Sequence, residues 1–133
     1  NVNYFIYKFN ISKRDQKRLL FLNDFFTQKI TIKKFSIENL SKILYFNDRD
    51  TVMDVIYFKI FKSKTVDKNL LTMIEVFKER EIPIMPYSAK LLMTKYNIPE
   101  GKELGIKLKK IEELWANNNF KVNEKEILKI INN

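Results

Sequence analysis

Residues Pro86–Trp115 read PYSAKLLMTKYNIPEGKELGIKLKKIEELW, and the punctuation inside this stretch decides the fold. It holds both glycines of the chain, Gly101 and Gly105, its only tryptophan, Trp115, and two of its three prolines, Pro86 and Pro99. In a chain so poor in glycine and proline, these residues collect where the backbone has to do something special. The pattern predicts a short helix, a turn at Asn97-Ile98-Pro99-Glu100-Gly101, and a longer helix from about Lys102. Gly101 can take a positive φ or admit another backbone, and Gly105 removes a side chain from the first helical turn. The amides at that helix start, flanked by Lys102 and Lys107, suit a phosphate. The same residues equally suit a plain helix–turn–helix corner with no ligand.

Working outward, the 133 residues suit one all-helical domain, residues 1–133, or a piece of a larger modular chain. Within it, 1–81 carry the body helices and 82–133 the helix–turn–helix and a last helix. Hydrophobic residues make up 45%, with 11 Phe and 6 Tyr, which is ample for a core and argues against disorder. The absence of cysteine excludes disulfides and thiolate metal sites, and the absence of histidine removes the commonest general base. No Asp/Glu cluster has ligand spacing, no apolar run is long enough to span a bilayer, and a cytoplasmic location is expected. The opening Asn1-Val2-Asn3 lacks both Met and a signal-peptide pattern, so a fragment or excised domain is expected.

The net charge of +9 directs attention to polyanions, nucleic acid first. Its origin needs care, because 21 Lys against 4 Arg, beside 14 Asn, is also what an AT-rich genome produces. Distribution says more than the total. Between Lys8 and Lys34 lie eight basic residues (Lys8, Lys13, Arg14, Lys17, Arg18, Lys29, Lys33, Lys34) against Asp15 and Asp24, a net +6 within 27 residues. Four of these, Lys13/Lys17 and Arg14/Arg18, form two i,i+4 pairs just behind a Ser12 N-cap. Positive charge there opposes the helix macrodipole by about 0.3–1 kcal/mol, so some partner should compensate, and a phosphate backbone would serve. A merely solvated lysine-rich face is the plain alternative.

The rest of the chain reads as helices. Residues 1–9 fit either a strand or a helix end. The helix from Ser12 to about Gln28 turns Leu19, Leu22, Phe25 and Phe26 to one side. Ser36 caps a short helix to about Tyr45 with Ile37, Leu40, Ile43 and Leu44 inward. Thr51–Phe61 is apolar almost all round, as a central, largely buried helix would be, with Asp54 at its rim. Asp67 opens a helix with Val66, Leu70, Met73, Ile74 and Phe77 at core spacing, ended by Pro83. Asn123-x-x-Glu126 starts the last helix. The expected fold is all-α, a compact array of about six to eight helices, basic on one side. No Gly-rich phosphate loop, nucleophile elbow or paired carboxylate is present, so a binding module without catalysis of its own is expected.

Pro86-Tyr87, Leu92, Asn97-Ile98-Pro99-Glu100-Gly101, Leu104-Gly105, Leu108, Ile111, Trp115 and Phe120 resemble the C-terminal part of bacterial class II tRNA nucleotidyltransferases, the CCA-adding enzyme and poly(A) polymerase family. Members commonly read Pro-Leu-x-Gly-x-Asp-Leu, a short gap, Gly-Ile-x-Pro-Gly-x-x-Val-Gly, then Leu-x-x-Leu-x-x-x-Trp. Upstream, Phe9–Lys13 and Leu44–Phe61 are similar to the family more loosely, as is Glu126-Ile127-Leu128 at the end. Ala89, Leu91 and Asn97 depart from the family's Gly, Asp and Gly, and one extra residue lies between Leu92 and Asn97. Asn tolerates the left-handed conformation, so Asn97 can still make the turn.

The resemblance implies an all-helical tRNA-binding region of a larger enzyme that transfers CMP or AMP to tRNA 3′ ends. Its Mg²⁺, CTP and ATP would bind in a catalytic head, in the same or a separate chain, and no cofactor, catalytic residue or metal ligand is expected in these residues. The expected RNA contacts are Lys13, Arg14, Lys17, Arg18, Lys29, Lys33, Lys34, Lys90, Lys95, Lys102 and Lys107, with Asn97, Pro99, Gly101 and Gly105 shaping the corner. Tyr87 and Tyr96 suit either packing or stacking on bases. Two other classes stay open: a helix–hairpin–helix DNA-binding module, and a protein-interaction domain with an incidental lysine bias.

Overall fold

Most helices of this chain begin at a side chain that accepts from a backbone amide two or three residues on. Asn1, Ser12, Ser36, Asp48, Asp67, Ser88 and Asn123 each do so. The computed structural model describes residues 1–29 and 33–133. Among them it shows eight helices and no strand: α1 (Val2–Phe9), α2 (Lys13–Thr27), α3 (Ile37–Phe46), α4 (Arg49–Lys62), α5 (Lys68–Lys78), α6 (Ala89–Tyr96), α7 (Lys102–Asn117) and α8 (Glu124–Asn132). The all-α expectation holds. None of these helices is long and apolar enough to cross a membrane.

The described residues gather into two compact units, Asn1–Ile82 and Pro83–Asn133. In the first, Phe25 of α2, Leu40, Ile43 and Leu44 of α3, Val52, Val55 and Ile56 of α4, and Phe77 of α5 form the core. Aromatic edges lock it: Phe25 meets Phe26 at 5.2 Å and Phe35 at 5.4 Å between centroids, both T-shaped. Val52, Val55 and Ile56 are wholly buried. The helix is nevertheless not enclosed all round, because Tyr57 and Phe61 are 53% and 84% exposed on its other side.

Three further expectations are corrected. Ile37 and Val66 are not core residues; both stand at helix starts, where the chain is still entering the fold, and are exposed. α5 ends at Lys78, before Pro83 can act. There the Arg49 guanidinium donates to the carbonyls of Phe77 (2.7 Å) and Arg80 (2.8 Å), satisfying groups that a longer helix would have used itself. The open question over residues 1–9 resolves to helix. Asn1 caps its start, and Asn10 closes its end in the left-handed conformation (φ 49°).

In the second unit, Leu92 of α6, Ile98 of the turn, Leu104 and Ile111 of α7, and Ile127 and Ile131 of α8 form a separate aliphatic core. α7 packs against both α6 and α8. The Lys107 ammonium donates to the carbonyl of Ile131 (2.8 Å), fastening the end of α8 to α7. After α7 the chain reverses through Asn119 and Phe120, both at positive φ. The Phe120 ring rests edge-on against the buried Trp115 at 4.9 Å.

Candidate nucleic-acid interface

The start of α2 carries the densest basic sequence, and the fold divides its four cations into two kinds. Arg14 and Arg18, one turn apart, meet Asp50 and Asp54, one turn apart on α4. Arg14 donates to Asp50. Arg18 grips Asp54 with both branches of its fork, Nε to Oδ2 at 2.8 Å and Nη2 to Oδ1 at 2.7 Å. The bond from Asp54 holds the Arg18 guanidinium even more firmly protonated than usual, against a smaller opposing effect of burial. The compensation sought for these charges is therefore internal for the arginines. Lys13 and Lys17 are exposed and make no hydrogen bond or ion pair among the described residues.

The other basic residues divide in the same way. Lys34 is occupied: its ammonium donates to the carbonyls of Phe25 (2.6 Å) and Gln28 (2.5 Å), capping the end of α2, and lies 5.4 Å from the Phe25 ring centroid. Lys107 is likewise occupied by Ile131 and by Glu103 at 3.3 Å, with only 14% of its side chain exposed. Lys29, Lys90, Lys95 and Lys102 are exposed. Lys33 and Lys34 share a groove of about 550 Å³ with Lys59, which the sequence reading passed over.

The corner itself is built as a change of backbone hand. Asn97 adopts the left-handed conformation (φ 56°, ψ 31°), and its N–H donates back to Leu92. Ile98 is buried beneath the turn, and Pro99 stands exposed at its tip. Gly101 sits at φ 151°, a region that L side chains rarely adopt. It is the first residue of α7's cap, yet no side chain bonds the helix's first amides, with Lys102 immediately following. Gly105 is ordinary helix, and a β-carbon there would meet nothing within 4 Å, so no other backbone approaches it closely among the described residues.

Beside this corner, Tyr87, Leu91, Lys95 and Tyr96 from the α6 segment face Val122, Glu124 and Leu128 from the α8 segment across a cleft of about 420 Å³. Burial, more than the neighbouring Tyr96 and Glu124, raises the Tyr87 phenol above its ordinary pKa, so it is a hydrogen-bond donor in neutral solution. Glu124 was legible in the sequence only as part of a helix start; nothing in its spacing from Tyr87 announces that the two meet. Among the described residues no three acidic side chains gather as a metal site would need.

Comparison of the chain with protein-family models, with curated proteins and with solved structures gave no match.

Proposed function

We propose that this chain is an RNA-binding module of the kind formed by the C-terminal region of class II tRNA nucleotidyltransferases. It would hold tRNA by its backbone while a catalytic head acts on the 3′ end. The carrying observation is the Asn97–Gly101 turn. Two of the positions at which the family's pattern has glycine, Asn97 and Gly101, are the ones where the backbone of this turn takes positive φ. The apolar positions of the same pattern, Leu92, Leu104, Ile111 and Trp115, are buried. Most of the pattern's residues thus have structural work, in the turn or in the core beside it; Gly105, with open space around it, does not.

Exposed lysines supply the binding term. Lys13, Lys17, Lys29, Lys90, Lys95 and Lys102 are point charges on flexible stems, suited to phosphates of an A-form duplex that is recognised by shape. Such contacts position without reading sequence.

The test is tRNA binding across a salt series, with duplex DNA of equal length in parallel. Log affinity should fall linearly with log salt for tRNA, and the double variant Lys13→Gln/Lys17→Gln should flatten that slope by about 2. A salt-independent affinity would overturn the reading. Equal affinity for duplex DNA would favour a helix–hairpin–helix module instead, and binding of neither would leave a protein-interaction domain.

A further inference from the structure

We infer that the cleft between α6 and α8 is a pocket for one unpaired nucleotide, with guanine the base it fits best. α6 and α8 each pack chiefly on α7, and beyond the core they share they leave a cleft between them. Its volume, about 420 Å³, lies in the range of small-molecule sites and is large enough for a base with its sugar. Leu91 and Leu128 give it an apolar floor, and Leu128 is 41% exposed although it belongs to a helix with a well-formed core face.

The polar groups around that floor match the parts of a nucleotide. Tyr87 and Tyr96 offer aromatic surface, on which any base stacks. The Lys95 ammonium stands over one face of the Tyr96 ring, 5.4 Å from its centroid, so a base stacking on that face would move this exposed cation outward, toward the phosphate. The Glu124 carboxylate makes no hydrogen bond or ion pair among the described residues, so both of its oxygens are available to accept. Guanine presents two donors side by side on its pairing edge, the ring N1–H and the amino N2–H, which one carboxylate accepts together. Adenine and cytosine present an amino group beside an acceptor, and uracil one N–H between two carbonyls, so each leaves a carboxylate oxygen facing a lone pair.

The inference rests on the RNA-binding reading for the source of the nucleotide, an unpaired base of a bound RNA, but its chemistry can be tested alone. Amide NMR spectra of the full chain are recorded during titration with GMP, AMP and UMP. GMP should shift the amides of Tyr87, Lys95, Tyr96 and Glu124, and bind several-fold more tightly than the other two. Glu124→Gln should abolish the preference for GMP while keeping binding, and Tyr96→Leu should weaken all three by about fivefold or more. Because Tyr96 also packs against the core, the exposed-site variant Lys95→Ala provides a second check, lowering affinity for GMP but not for guanosine. Absence of shifts at the cleft, or equal affinities for the three nucleotides, overturns the inference. If tRNA still binds with its salt dependence, the function proposed above survives that failure. If GMP occupies the cleft while tRNA does not bind, the function fails and the pocket stands.

Discussion

Helices α2 and α7 both begin in basic sequence, and the protein treats the two beginnings in opposite ways. At α2 the start is closed: Ser12 accepts from the Asp15 amide, and two of the four cations are matched by carboxylates of a neighbouring helix. At α7 the start is left bare of any side-chain cap, and its nearest partly buried cation, Lys107, turns away to α8. Like charge at like positions thus has two meanings. Where an i,i+4 pair of arginines faces an i,i+4 pair of aspartates, charge is spent on joining helices. Where lysines stand without such a partner, it remains available to something outside the chain.

The largest effect that separates the two starts should come from Gly101. Gly101→Ala puts a β-carbon on a backbone at φ 151° and should destabilise by about 1–3 kcal/mol in denaturant melts. Gly105→Ala, four residues on in open helix, should stabilise by about 0.5–1 kcal/mol, because alanine loses less entropy there. If the two substitutions behave alike, the special status of the α7 start disappears.

On the α2 side, Asp54→Ala should cost about 1 kcal/mol, since a bidentate, partly buried pair lies at the upper end for surface ion pairs. Asp50→Ala should cost less, its pair being about half exposed or more. Equal losses would mean that the bidentate geometry contributes nothing.

The α4 start offers a pH readout. Asp48 accepts from both the hydroxyl and the amide of Thr51, and the hydroxyl bond above all lowers its pKa. A depressed native pKa stabilises the fold above the unfolded value and is lost as pH falls through the native one. The capping contribution, about 1 kcal/mol, should therefore be intact above about pH 4 and decline below it, and Asp48→Ala should remove that part of the acid dependence.

The smallest effect on stability, within about 0.5 kcal/mol, is expected for Lys13→Gln and Lys17→Gln, whose exposed ammonium groups make no hydrogen bond or ion pair among the described residues. Ser41→Ala belongs with them. Its hydroxyl is buried without a partner among the described residues, so removal should be neutral or slightly stabilising.

What could be read in advance divides along the same physical line. Caps are local, and Ser12, Ser36, Asp67 and Asn123 each capped the helix that their spacing announced. Helical periodicity located Phe25, Leu40, Val55 and Phe77 correctly in a core. The Arg14/Arg18–Asp50/Asp54 ladder was missed although both halves were visible with matching spacing, because pairing residues 36 apart needs the register of α2 on α4. Ile37 and Val66 misled for a similar reason: period alone does not say where a helix meets the core. The cleft of Tyr87, Tyr96 and Glu124 depends on two helices sharing a third, which no local pattern encodes.

The bond from Lys107 to the Ile131 carbonyl also bears on time. A helix ordinarily frays from its last turn inward, and the amides of that turn exchange with solvent before those of its middle. Here the last turn of α8 is held by an ammonium group that is only 14% exposed, above side chains of Ile127 and Ile131 that lie in the core. Unravelling α8 from that end requires this bond to break and the core to open together. The amides of Ile127–Ile131 should accordingly exchange as slowly as those of Ile111, on the clock of the whole unit rather than that of a loose end.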